Sequence, residues 1–291
     1  MIPAAFDYAV PETLDEALGL LEQHGDEAKV LTGGHSLIPL LRLRLARPSL
    51  VVDLRRINGL RDIREVGGEL VLGAAATHAE IQASPEVQRL CPLLAETAAE
   101  IGDVQVRNAG TLGGSVVHAD PAADWPAALL ATGATFVLHG PTGERSLPAE
   151  EFFVGLLESA AQPGEILTAI RVPANPTGWA GAYRKVAQSA CGFALDGAAV
   201  QLHLDGDAIA SARVGITGVA DHAYRAASVE AALTGCALDT GALQEACSTA
   251  AEGVEALADI HASARYRAHL ATVLTRRAAE AAAARLRGAP A

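Results

Sequence analysis

Two short runs of small and hydroxylated residues carry the chemistry this sequence offers: Thr32-Gly33-Gly34-His35-Ser36-Leu37 and Thr111-Leu112-Gly113-Gly114-Ser115. Paired glycines let the backbone reach positive φ and leave N–H groups bare, and consecutive bare N–H groups form an electropositive nest that suits phosphate. Taken alone, the first run reads equally well as a plain strand-turn-helix connection. No Walker lysine follows Ser36, and the spacing is not G-x-G-x-x-G. Two such runs suggest two backbone surfaces closing on one extended ligand, and a dinucleotide with a central pyrophosphate fits that arrangement. Asp120 and Asp124, just beyond the second run, are carboxylates able to accept hydrogen bonds from sugar or ribityl hydroxyls. A Gly-rich hairpin followed by an Asp-Pro turn is the plainer reading of this segment.

Other chemistries find little support. Cys91, Cys191, Cys236 and Cys247 are widely separated with no C-x-x-C, so an iron–sulfur cluster is not expected on this chain. The nine histidines are dispersed, without H-E-x-x-H or a His/Cys pair at ligand spacing, and no protein-bound metal is expected. A formal charge of −12 argues against nucleic acid and anionic membrane surfaces. Arg276, Arg277, Arg285 and Arg287 read as one solvated helix face. With neither a signal peptide nor a membrane-length apolar segment, the expected location is cytoplasmic.

The elements that must position the two runs follow from capping and periodicity. Thr13 with Glu16 has capping-box spacing and opens a helix that ends near Gly25. Residues 28–32 and 50–54 read as strands with an apolar segment over 37–45 between them, a small βαβ-like first lobe. A strand over 69–75 precedes a second capping-box spacing, Thr77 with Glu80, and helical material broken at Pro85 and Pro92. A helix over 126–132 and strands near 135–138 and 166–172 complete a second lobe. The breaker-rich 173–178 stretch is the expected linker. Beyond it, three strands over 180–187, 194–204 and 208–219, with a hairpin turn at Asp205-Gly206-Asp207, precede helices around 228–234, 240–252 and 262–287. The economical arrangement is a three-stranded antiparallel sheet with helices on one face.

The stretches TGGHSLIPLLRLRLARP and RNAGTLGGSVVHADPAADWPAALLATGA resemble the signature of the flavin-binding medium subunits of molybdenum hydroxylases, the carbon monoxide dehydrogenase and xanthine dehydrogenase family. The similarity runs from MIPAAFDYAVPETLDEAL through EILTAIRVP and AYRKVA to ASARYRAHLATVLTRRA. Thr32 stands where family members commonly have alanine. The resemblance implies an α+β chain: a two-lobed FAD-binding domain of the vanillyl-alcohol-oxidase type, with lobes 1–57 and 58–176, and a C-terminal α/β domain over 177–291.

By the same resemblance, Thr32, Gly33, Gly34, His35, Ser36 and Leu37 hold the pyrophosphate, and Thr111, Gly113, Gly114 and Ser115 pack around it and the ribityl chain. Asp124 lies near the sugar alcohols with Asp120 in the same turn, and Leu167 is an apolar neighbour of the flavin. Lys185, in the family's Y-x-K, places a cation near the ring system, a solvent-facing strand residue being the alternative. Phe193 aligns with an aromatic that lies against the isoalloxazine, a core phenylalanine being the alternative. Gly192 replaces the usual aspartate. His78 is read as a wall of the site, and His35 and His118 as loop histidines, so no catalytic residue is expected here. A valine at Gly33 is expected to crowd the phosphate while leaving the fold intact.

The function implied is an FAD-binding electron-transfer subunit taking electrons from a [2Fe–2S] small subunit and passing them to an external acceptor. Substrate, with CO, an aldehyde or an N-heterocycle as candidates, is oxidised on a molybdopterin large subunit. A dimer of heterotrimers is expected. The alternatives are a self-contained flavin oxidase or dehydrogenase and a non-catalytic assembly protein that has lost the flavin.

Overall fold

The computed structural model describes residues 2–175, 178–206 and 208–288. Its first helix, Leu14–His24, has the limits expected: Thr13 accepts from the Glu16 N–H, and Gly25 follows with a φ of 53°, a left-handed value that glycine adopts without strain. Ala17 and Leu21 of that helix are buried in a small core with the parallel sheet beside it. In that sheet Leu50–Asp53 lies between Asp7–Ala9 and Ala28–Leu31. The central strand is buried throughout, as parallel strands covered on both faces are. The crossover from Ala28–Leu31 to Leu50–Asp53 carries the glycine run and the helix Leu37–Leu43.

The second lobe is a five-stranded sheet in the order Ile63–Val66, Glu69–Gly73, Ile166–Pro173, Thr135–Gly140, Gly143–Pro148. Thr77 heads His78–Ala83 with a complete capping box. Helices Pro85–Leu90 and Pro92–Ala99 each begin at a proline, which has no N–H to leave unsatisfied in the first turn. The second run forms no hairpin. The second Gly-Gly pair lies in the first turn of an α-helix, Leu112–His118, with Thr111 as its cap. Glycine disfavours helix by about 1 kcal/mol, so propensity argued for a loop. Packing decides otherwise, because a Cβ on Gly113 would lie 2.6 Å from the Cβ of Ala74.

In the C-terminal part the three expected strands are Trp179–Ala187, Ala194–Asp205 and Ala208–Thr217, and the two-residue strand Tyr224–Arg225 makes the sheet four-stranded. The helices are Ala227–Leu233, Thr240–Ala246 and Ala264–Leu286. They do not cover the sheet alone. Ala264–Leu286 packs on one face, while the second-lobe helix Trp125–Thr132 also lies against Ala194–Asp205 and Ala208–Thr217. Gly215 permits that approach: a Cβ there would meet the Ala127 carbonyl oxygen at 2.1 Å.

The arginines are less uniform than a solvated face. Arg285 bonds Glu96 and the Gly181 carbonyl, tying the last helix to the second lobe. Arg267, in the ASARYR motif, is buried and donates to the Leu195 and Gly218 carbonyls at 2.5 and 2.6 Å. Of the 173–178 stretch, Pro176 and Thr177 lie outside the described residues, as does Asp207 of the hairpin turn. The described part of that stretch is held by Ala174 N–H to Gly68 O and Asn175 N–H to Leu90 O. Among the described residues no helix is long and apolar enough to cross a membrane.

Candidate functional site

The run after Ala28–Leu31 turns sharply, with Gly34 at a φ of 74°. Among the described residues, the backbone N–H groups of Gly33, Gly34, His35, Ser36 and Leu37 donate to no group of the chain. His35 is exposed, and Gly33, Gly34, Ser36 and Leu37 are half-buried. Such consecutive donors are costly to leave without a partner when partly desolvated, and an anion satisfies several at once.

The two sequence-predicted runs meet. Thr32 Oγ1 lies 2.8 Å from Thr111 Oγ1, and Thr111 Oγ1 accepts the Gly114 N–H at 3.2 Å. A Cβ on Gly33 would come within 2.3 Å of the Ala109 carbonyl oxygen. The bareness of Gly33 therefore lets one loop touch the other, and a valine there would push the loops apart as well as crowd a ligand. The second run is held from below by Ala74, Ala76 and His78, through Gly113 N–H to Ala74 O, Leu112 N–H to Ala76 O and His78 N–H to Gly110 O. Gly113 is buried in that packing, whereas Gly114 is exposed and Ser115 half-buried.

Basic side chains lie near the second run. His78 is buried and its pKa is lowered to about 4, by desolvation first and then by His35 and Arg107. Those two basic side chains are thus close enough to bear on its titration, and His78 is neutral near pH 7. Trp125 Nε1 donates to His78 Nδ1 at 3.0 Å.

Asp120 and Asp124 differ. Asp120 is half-buried and accepts the Ala122 N–H at 2.9 Å, an Asx turn. Asp124 is buried, and its Oδ1 accepts from the Tyr183 hydroxyl at 2.6 Å and lies 2.9 Å from Lys185 Nζ. Burial pushes its carboxyl pKa up, opposed by Lys185 and Tyr183. Lys185 is no solvent-facing strand residue: its side chain is 3% exposed, and it also donates to the Gly192 carbonyl at 2.8 Å. That second bond steadies a tight turn in which Gly192 and Phe193 each pair with Gln188. Gly192 has a φ of 75°, and a Cβ there would lie 3.1 Å from Gly102 Cα, so glycine suits both the conformation and the close approach. Phe193 is 41% exposed, so it is not a core phenylalanine. Leu167 is buried in the main core, at an irregularity of its strand.

Trp125, Tyr183 and Arg107 join this neighbourhood without having been singled out as site residues. Tyr183 had a sequence signal in the Y-x-K triplet, and Trp125 in its adjacency to Asp124; Arg107 had none beyond preceding the second run. Among the described residues no cluster of three or more His, Cys, Asp or Glu side chains could hold a metal ion.

Comparison with known proteins bears on the identity of this arrangement. Residues 4–175 match the family model of the FAD binding domain in molybdopterin dehydrogenase, and residues 181–282 that of the CO dehydrogenase flavoprotein C-terminal domain. The carbon monoxide dehydrogenase medium chain of Hydrogenophaga pseudoflava is 40% identical over 98% of this chain and 99% of its own length. The glyceraldehyde dehydrogenase medium chain of Sulfolobus acidocaldarius is 35% identical over 96% and 98%. Among solved structures, carbon monoxide dehydrogenase from Hydrogenophaga pseudoflava superposes with a TM-score of 0.95 at 42% identity, covering 98% of this chain and 99% of that one. Quinoline 2-oxidoreductase from Pseudomonas putida 86 superposes with a TM-score of 0.92 at 34% identity, covering 98% and 99%. With both halves matched and nearly the full length shared, the chain belongs to the FAD-binding medium subunits of molybdenum hydroxylases, the oxidoreductase family that includes the carbon monoxide dehydrogenase medium chains.

Proposed function

We propose that this chain holds FAD and relays electrons within a molybdenum hydroxylase, receiving them from a [2Fe–2S] small subunit and passing them to an external acceptor. Substrate is oxidised on a separate molybdopterin large subunit. The observation that carries this reading is the run of unpartnered N–H groups from Gly33 to Leu37 beside the Thr32–Thr111 hydroxyl contact. The donor set fits a pyrophosphate: neutral backbone dipoles, small residues at the point of approach, and His35 and Arg107 nearby.

Bound FAD supplies the redox centre, and the protein supplies position and electrostatics. In this reading residues 32–37 anchor the pyrophosphate from one side, and Thr111, Gly114 and Ser115 from the other. Gly113 acts by close packing on Ala74. Asp120 offers its free oxygen to sugar or ribityl hydroxyls. Asp124 and Lys185 act as a buried pair that fixes the turn bearing Phe193. Phe193 presents an exposed ring as a stacking surface, Leu167 gives an apolar wall, and His78 a neutral one. The lobes 1–57 and 58–176 and the C-terminal domain 177–291 belong to the same reading, as do cytoplasmic location and assembly as a dimer of heterotrimers. The names of relatives span CO, an aldehyde and an N-heterocycle, in keeping with substrate choice residing on another chain.

The test is to purify the chain alone and with its co-expressed neighbours, then record the visible spectrum and the cofactors released on denaturation. A yellow chain with one FAD per polypeptide, reduced only when the iron–sulfur and molybdopterin subunits are present, is expected. A colourless chain under both conditions overturns the reading. A yellow chain that oxidises a substrate without iron or molybdenum favours the self-contained oxidase.

A further inference from the structure

Trp125 is completely buried, and a buried indole N–H needs an acceptor. It finds one in His78 Nδ1, at 3.0 Å. Indole only donates, so Nδ1 is the unprotonated nitrogen, and the neutral ring carries its proton on Nε2. The other edge of the ring lies on Gly110: a Cβ there would meet Nε2 at 2.8 Å and Cδ2 at 3.0 Å. The His78 backbone N–H also donates to the Gly110 carbonyl, at 3.0 Å. His78 thus bonds Gly110 through its main chain, and its ring packs so close that no Cβ fits there. Gly110 immediately precedes Thr111, whose hydroxyl meets Thr32 across the two loops.

We propose that Trp125 is a positioning residue of the flavin site: by fixing the ring orientation and proton location of His78 it sets Gly110, and through it Thr111, against the first loop, and so governs how tightly the loops retain their ligand. The inference rests on the flavin reading above. Nothing in it requires Trp125 to touch the ligand. The low pKa of His78 accords with it, since a ring neutral from pH 5.5 to 8 keeps the same tautomer throughout.

The test uses the full chain in its FAD-loaded form, with histidine labelled by nitrogen-15 and the His78 signals identified by His78→Gln. In the wild type, one histidine is expected to show an unprotonated Nδ1 and a protonated Nε2, without titrating between pH 5.5 and 8. In Trp125→Phe those signals are expected to move toward a tautomer mixture, and FAD release to speed up roughly 2- to 12-fold, as for loss of one neutral hydrogen bond. Gly110→Ala attacks the same contact from its other end, at a backbone conformation alanine adopts freely (φ −60°, ψ 139°). It is expected to speed FAD release while the Trp125–His78 bond and the His78 tautomer persist. An unchanged tautomer in Trp125→Phe, or a changed tautomer with wild-type FAD release, overturns the proposal. Should Trp125→Phe not fold, wild-type FAD release in Gly110→Ala overturns it. A wild-type chain that never carries FAD defeats the flavin reading itself, and that control tells the two failures apart.

Discussion

Replacing Thr32 by valine keeps the shape of the side chain and removes the hydroxyl that meets Thr111 at 2.8 Å. Thr111 Oγ1 retains the Gly114 N–H but loses its second partner in a half-buried place. A neutral hydrogen bond of this kind contributes about 0.5–1.5 kcal/mol net. At 1.4 kcal/mol per factor of ten, FAD release should accelerate about 2- to 12-fold if the contact is kept in the loaded state. Fold stability should change little, because the contact joins two loops rather than two cores. Thr32→Ser restores the hydroxyl and is expected to release FAD within about twofold of the wild type. The assay is the rise in flavin fluorescence after dilution of the loaded chain, with thermal unfolding recorded alongside. Release from Thr32→Val at the wild-type rate would refute the claim that the hydroxyl contact preorganises the loops. Equal acceleration in Thr32→Ser and Thr32→Val would show that side-chain shape, not the hydroxyl, matters.

Two further outcomes concern buried charge. Asp196 is fully buried with neither carboxylate oxygen hydrogen-bonded among the described residues, and burial pushes its pKa from 3.8 to about 8, with Arg267 opposing. Between those values the folded chain keeps a proton that the unfolded chain has lost, so stability falls as pH rises through the window, by about 1.4 kcal/mol per unit from this group. Asp196→Asn should therefore stabilise the chain progressively more at pH 7.5 than at pH 5 in urea unfolding; a pH-independent difference would contradict the assignment. Lys185→Met leaves the Asp124 carboxyl buried without its cation, at a cost of roughly 3–5 kcal/mol. The double variant Asp124→Asn with Lys185→Met should recover a substantial part of that loss, and a double variant no more stable than Lys185→Met would show that the pair is not what the ammonium serves.

Much of the framework was legible because it rests on local signals. The Thr13 and Thr77 caps, the prolines at 85 and 92, and the long strands of the C-terminal sheet all appear where periodicity and capping place them. The first glycine turn was legible for the same reason. The helical second run was not, since Gly113 is required by a contact with Ala74 that no local pattern reveals. Strands Asp7–Ala9 and Tyr224–Arg225 are too short for alternation to register. At the site, family resemblance brought Asp124 and Lys185 forward singly. Their pairing across two elements, with Tyr183 completing it, is a product of tertiary structure.

The helix Trp125–Thr132 is buried at every one of its eight residues. It has no wet side, because the five-stranded sheet's core and the C-terminal sheet both claim it. A cut in the chain near residue 176 would therefore not yield two independent products. One fragment would carry a greasy helix stripped of half its cover, and the other a bare sheet face with Gly215 open where the Ala127 backbone had rested. The shared helix thus ties the second lobe to the C-terminal sheet, which no linker between them could do.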